Sequence, residues 1–134
     1  MKHAMLALLV LSLMVTSGVE ETFFVEDGEI CCLIVVSDDA DFADLLTATE
    51  IAKEVVGLAG NGCPFSLIRF AGEISKEDSA QYNLIMLGET GLGVDRETEE
   101  ICEGLYFLED FFGTGKDVLV VEDPQALIEL LQNL

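Results

Sequence analysis

The stretch ICCLIVV, Ile30 to Val36, is apolar at every position and rich in β-branched residues. A strand with one wet face alternates apolar and polar side chains. An unbroken apolar run belongs to a strand covered on both faces, the pattern of parallel sheets. SDDAD, Ser37 to Asp41, follows as a turn offering several helix N-caps. The spacing then predicts a helix to about Val56, with Phe42, Leu45, Leu46, Thr49, Ala52 and Val56 on one stripe. Gly57, Gly60, Asn61 and Gly62 end it.

The same alternation continues outward. FSLIRF, Phe65 to Phe70, reads as a second strand, and Arg69 within it predicts a sheet edge where the guanidinium reaches water. Ala71 to Gln81 is a polar connection, and NLIML, Asn83 to Leu87, is a third strand. A glycine-rich turn, Gly88 to Gly93, leads to an expected helix from about Asp95 to Phe107, with Ile101, Cys102, Leu105 and Leu108 inward. FFGTGK, Phe111 to Lys116, is a loop, and VLVV, Val118 to Val121, a fourth strand. Asp123 before Pro124 is a helix start, and the last helix is expected to bury Leu127, Leu130, Leu131 and Leu134. Strands alternating with helices imply parallel pairing through right-handed crossovers. The expected fold is α/β: a three-layer α/β/α sandwich of minimal Rossmann-like kind. It has about four mainly parallel strands in the order 2-1-3-4, with helices on both faces.

Upstream of ICCLIVV the chain has two further parts. Lys2 and His3 precede an apolar run from Ala4 to Val15, which ends in Val15-Thr16-Ser17. A charged start, a short apolar core and a small-residue exit make residues 1–17 a secretory signal peptide, cleaved near Ser17-Gly18. The run is shorter than the ~20 residues a spanning helix needs, so no transmembrane segment is expected after leader removal. Residues 18–29 form an acidic lead-in whose Phe23-Phe24 pair is placed to tie the N-terminus down, and residues 30–134 form a single α/β domain. The expected location is therefore secreted or cell-envelope.

Six basic and 26 acidic residues give a net charge of −20. Such a charge opposes nucleic acid and anionic lipid and favours cations or basic surfaces. His3 is the sole histidine and leaves with the leader, which removes Ser-His-Asp and Cys-His nucleophile systems and His-containing zinc sites. Four cysteines remain: Cys31, Cys32, Cys63 and Cys102. With no CxxC, and in an oxidising compartment, they suggest one disulfide, from Cys63 to Cys31 or Cys32. Cys31 and Cys32 are adjacent on a strand and point to opposite faces. Cys102 reads as a small core residue of the expected helix.

The acids are unevenly spread. Asp38, Asp39 and Asp41 follow the first strand, Glu89 the third, and Glu122 and Asp123 the fourth. In a parallel sheet these positions share the carboxyl edge, where open α/β folds bind ligands. Clustered oxygens suit Ca²⁺ or Mg²⁺. The alternative is helix capping, since Asp at a helix start satisfies backbone N–H groups and complements the dipole. Gly88 to Gly93 is spaced GxxGxG, not GxGxxG, and Glu89 would repel a phosphate. The Gly113-Thr-Gly-Lys116 segment precedes a strand instead of following one, so it is not a Walker loop. Asp38-Asp39 is similar to the acidic pair of receiver domains, but Gly88 stands where their acceptor aspartate belongs.

Several segments together resemble the N-terminal α/β domain of archaeal S-layer proteins: FFVEDG (Phe23 to Gly28), DLLTATEIA (Asp44 to Ala52), NLIMLG (Asn83 to Gly88) and FGTGKDVLVV (Phe112 to Val121). The chain departs from that pattern at Ser37-Asp38-Asp39, at Glu89-Thr-Gly-Leu92, in its cysteines and in its short length. The resemblance implies the cell envelope, and as partners other envelope proteins or further copies of the chain. The resulting expectation is a non-enzymatic exported envelope protein acting through its surface or through divalent cations. The alternative is a small ligand-binding or metal-dependent hydrolase domain using the carboxyl-edge acids.

Overall fold

The computed structural model describes residues 19–88, 100–102 and 104–134. The lead-in is structured. α1 (Glu21–Phe24) runs into β1 (Val25–Glu26), which pairs antiparallel with β2 (Glu29–Ile30). Asp27 and Gly28 join them with φ of 53° and 77°, a two-residue turn of the kind Asp-Gly favours because both residues tolerate positive φ. Val19, Phe23, Phe24 and Val25 are all buried. The expectation that the Phe pair ties down the N-terminus holds.

The main sheet is built from β3 (Cys32–Val36), β4 (Ile68–Phe70), β5 (Asn83–Leu87), β6 (Glu100–Cys102), β7 (Leu105–Leu108) and β8 (Val118–Val121). Its order is β4-β3-β5-β8-β7-β6. The β4, β3, β5 and β8 strands run parallel, and β7 pairs antiparallel with both β8 and β6. Thus the four sequence-predicted strands do lie in the order 2-1-3-4, and an antiparallel hairpin extends the sheet beyond them.

That hairpin overturns the helix expected from Asp95 to Phe107. Residues 100–102 and 105–108 are strands, and the part before them lies outside the described residues. The apolar residues at 101, 102, 105 and 108 mimic a helical stripe. Leu-Tyr-Phe-Leu is nevertheless a β-prone run, and Gly104, at φ +89°, breaks any helix between the two halves. The second strand is also shorter than expected: residues 64–67 form a 3-10 turn and only 68–70 pair. It does lie at the sheet edge, where Arg69 Nη1 donates to the Ser66 carbonyl at 2.7 Å.

Two helices cover one face. α2 (Phe42–Ala59) is capped by a reciprocal box: Asp44 N donates to Asp41 Oδ1 at 2.9 Å, and Asp41 N to Asp44 Oδ2 at 3.2 Å. It ends at Gly60, φ +80°. Its buried stripe is Ala48, Ile51, Ala52 and Val55; of the expected stripe, Ala52 is buried and Leu45 and Val56 pack half-buried against the core, but Phe42 and Leu46 face solvent. The short run 48-51-52-55 keeps strict i, i+3, i+4, i+7 spacing, and small alanines let the helix approach the sheet. After α3 (Lys76–Gln81), the chain ends in α4 (Pro124–Gln132), which buries Leu127, Ile128 and Leu131 on the same face as α2. Leu127 and Leu131 are buried as expected and Leu130 packs half-buried, while Ile128 joins the inner face and Leu134 is exposed.

The other face is thinner. Leu33, Val35, Leu84, Met86, Val118 and Val120 line it, with Ala71, Ile74, Tyr82 and Phe111 as cover. The six-residue α3 on that connection buries none of its own side chains. Among the described residues the architecture is therefore α/β with a mostly parallel mixed sheet and its long helices on one side.

Candidate functional site

Two clefts lie at opposite ends of the sheet. The first, about 350 Å³, opens at the carboxyl edge, where the ends of β3, β5 and β8 meet the N-termini of α2 and α4. Strand β3 sits between β4 and β5, so the chain leaves β3 one way and later returns past it. The crevice beside it is the topological switch point at which open α/β sheets take ligands. Ser37, Asp39, Asp44, Thr47 and Glu122 supply its polar lining, and Val36, Leu87 and Val121 its floor.

The predicted acids divide. Asp39 and Glu122 line this cleft, joined by Asp44, which sequence reasoning took only as part of a helix. Ser37 Oγ donates a short hydrogen bond to Asp39 Oδ1. That bond, with one from a backbone N–H, holds the Asp39 carboxyl below the ordinary aspartate value. Tyr106 Oη donates to Glu122 Oε2 at 3.4 Å. The others are turned to structural work. Asp38 Oδ1 accepts from Gly72 N at 2.8 Å, tying the end of β3 to the turn after β4. Asp41 caps α2, and Asp123 Oδ1 accepts from Gln125 N at 3.2 Å to cap α4. Glu89 lies outside the described residues. Among the described residues no group of three or more His, Cys, Asp or Glu side chains is arranged to hold a metal ion.

The cysteines Cys31, Cys32 and Cys63 are free thiols, so the expected Cys63 bridge is not formed here. Cys32 is buried in the core under α2, and burial pushes its thiol far above the ordinary value. Cys31 is half-buried; its Sγ donates to the carbonyls of Thr22, at 3.2 Å, and Phe23, at 3.5 Å. Burial first, and the Glu26 charge second, raise its pKa, with Lys116 opposing. Cys63 is exposed in the loop after α2.

A second cleft, about 310 Å³, opens at the amino edge. Glu20, Thr22 and Phe23 of the lead-in form one wall, and Asn83, Phe107, Glu109 and Asp117 the other. Asn83 is the hinge of this arrangement. It is the one buried polar residue found among those described, and both ends of its amide are hydrogen-bonded. Its Nδ2 donates to the Phe23 carbonyl at 2.9 Å and its Oδ1 accepts from Asp117 N at 2.9 Å. The sequence reading placed Asn83 on a strand and gave it no role. A polar residue opening an otherwise apolar strand was the available signal.

Among the described residues, no helix is long and apolar enough to cross a membrane. No family model matches the chain, and no curated protein matches it.

Proposed function

We propose that this chain is a non-enzymatic, exported cell-envelope protein whose S-layer-like domain works by contact, through its surface or through divalent cations bridging its acids. In this reading the fold is a minimal Rossmann-like three-layer domain, and the partners are other envelope proteins or further copies. The leader, the charge of −20 and the segments resembling S-layer domains support it. The observation that carries it is apolar exposure on an otherwise acidic chain. Phe42 is 75 % and Phe65 71 % exposed, and Leu46 and Phe70 are also open. All four sit on α2 or on the 64–70 segment beside it, next to the short edge strand β4. Large exposed apolar groups near a sheet edge are features of contact surfaces. The test is the assembly state of residues 18–134 by light scattering and negative-stain imaging, with and without millimolar-range Ca²⁺. Oligomers or sheets that a chelator or Phe42→Ser with Phe65→Ser disperses are expected. A monomer under all conditions refutes the reading.

The second reading is a small ligand-binding or metal-dependent hydrolase domain. It is favoured by the switch-point cleft with Ser37, Asp39 and Glu122 in its lining. Calorimetric titration with Ca²⁺ and Mg²⁺, on the parent and on Asp39→Ala with Glu122→Ala, decides it. Identical traces exclude a cation at that cleft.

A further inference from the structure

We propose that Arg69 and Glu73 form a latch that closes the β4 edge against strand addition, and that without it β4 pairs with the β4 strand of a second copy.

β4 ends the sheet on its side, pairing with β3 alone. An edge strand turns a row of unpaired N–H and C=O groups outward, and those groups are what an incoming strand recognises. Here they are taken from within the chain. Arg69 Nη1 donates to the Ser66 carbonyl at 2.7 Å and to the Ile68 carbonyl at 3.0 Å. Ile68 N donates to the Phe65 carbonyl, and Phe70 N donates to Glu73 Oε1 at 2.9 Å. These backbone groups belong to residues 66, 68 and 70, the alternate set that shares one side of a strand. None of their partners lies on β3, so that side is the outer one.

The latch is held at both ends. Upstream, residues 64–67 form a 3-10 turn in which Ser66 Oγ donates to the Cys63 carbonyl at 2.7 Å. Downstream, Ala71–Glu73 form a second such turn, anchored by the buried Ala71. Asp38 Oδ1, from the end of β3, accepts from Gly72 N at 2.8 Å and so fixes the turn that carries Glu73. Asp38 is thus a positioning residue of the latch, a role different from the cation ligand expected of it. An entering strand must displace a guanidinium from two carbonyls and a carboxylate from one N–H. Those are charge-assisted bonds, stronger than the neutral ones the strand brings. Phe65 and Phe70 lie exposed on this segment, and an apolar edge left open is a route to uncontrolled sheet growth. The latch stands independently of the exported reading; within that reading it leaves contact on this side to the apolar side chains.

The test compares the parent with Arg69→Ala/Glu73→Ala in chelator, which removes cation-bridged assembly and keeps the proposed envelope function out of the readout. The double change removes one positive and one negative charge, so the net charge stays at −20 and does not itself drive association. Sedimentation velocity is expected to show the double variant associating about tenfold more tightly than the parent, or more, as a few main-chain hydrogen bonds would give. In that background Phe70→Pro is expected to restore the monomer and Phe70→Ala to leave the association. Proline suits the Phe70 φ of −77° and removes the outward N–H, whereas alanine removes the same ring and keeps it. In the single variant Glu73→Ala, hydrogen exchange of the Phe70 amide is expected to speed about tenfold, the worth of one hydrogen bond to a charged group. A double variant as monomeric as the parent overturns the proposal. Equal dispersal by Phe70→Pro and Phe70→Ala also overturns it, by assigning the association to apolar side chains. Unchanged exchange of the Phe70 amide does the same, and that measurement decides alone if the double variant fails to fold.

Discussion

Replacing Gly104 with alanine places a methyl group where the hairpin turn meets the start of α4. An added Cβ would stand 2.5 Å from Asp123 Cβ and 3.1 Å from Asp123 N. The turn is pinned there, because the Gly104 carbonyl accepts from Glu122 N at 2.8 Å and from Asp123 N at 3.2 Å. Two costs add. An L-residue at φ +89° loses about 1–2 kcal/mol to backbone strain. Forcing a methyl into a filled space costs about 1–3 kcal/mol more. Gly104→Ala is therefore expected to destabilise by about 2–5 kcal/mol, a large part of the ~5–15 kcal/mol that holds a domain of this size. Gly60→Ala is the matched control: its φ is +80°, but nothing lies within 4 Å of the added Cβ. It carries the strain alone, about 1–2 kcal/mol. Urea unfolding followed by far-UV circular dichroism measures both, since the chain has no tryptophan. Asp123→Gly removes the atom that Gly104→Ala strikes, and exchanging an aspartate cap for glycine costs only a few tenths of a kcal/mol. The Gly104→Ala penalty should shrink in that background. Equal penalties for Gly104→Ala and Gly60→Ala, or no coupling to Asp123→Gly, would refute the close approach.

Asn83→Ala leaves Asp117 N without its partner and the Phe23 carbonyl with only the weak Cys31 thiol donor, so the one orphaned group predicts a loss of about 1–3 kcal/mol in urea unfolding; a loss below ~0.5 kcal/mol would show that the lead-in is held by apolar burial alone. Alkylation under native conditions should modify Cys63 first, Cys31 slowly and Cys32 only on unfolding, as their burial and raised thiol pKa values dictate. Peptide mapping reads that order, and early labelling of Cys32 would contradict its place under α2. Ser37→Ala should raise the Asp39 pKa toward its ordinary value in a carbon-detected NMR titration. Because the folded pKa of Asp39 is depressed, its contribution is present above the unfolded value and is lost as pH falls through the folded one. An unmoved titration curve would assign the shift to the backbone instead.

The parallel part of the fold was legible because three of its four strands carry apolar runs bounded by turn residues, with Arg69 interrupting only the edge strand. ICCLIVV, NLIML and VLVV pair in the predicted neighbour order, and Arg69 correctly marks the edge. What was illegible was local conflict between two periods. Leu105 to Leu108 fits helix spacing when read with residues 101 and 102, and only the conformation of Gly104 decides for a hairpin. The α2 stripe misled for a related reason. Phe42 and Leu46 are the most apolar choice by composition, yet the helix turns small alanines inward and leaves the aromatic outside. Asp27-Gly28 is a hairpin signal made faint by flanking strands of only two residues each. Among the described residues, Asp38, Asp39, Asp41, Glu122 and Asp123 do follow the carboxyl ends of their strands. Which of them face the cleft depends on hydrogen bonds to distant backbone, such as Gly72 N to Asp38, that no spacing rule reveals.

The two ends of the sheet use acidity differently, and this bears on function more than the total charge does. At the carboxyl edge, Asp38, Asp41 and Asp123 already accept backbone N–H groups, so a cation entering there competes with helix caps and a loop tie. Binding at full strength would loosen the fold that builds the site. Asp39 and Glu122 line the cleft without capping a helix, Asp39 held by Ser37 and Glu122 met by Tyr106, which is why the hydrolase or ligand reading narrows to them. At the amino edge, Asp117 accepts from Asp110 N, but no helix is capped by the cleft's carboxylates. What holds that end together is neutral: the Asn83 amide joins the Phe23 carbonyl of the lead-in to Asp117 N at the start of β8, so the lead-in and the sheet meet through one buried polar residue and no ion is needed to seat them.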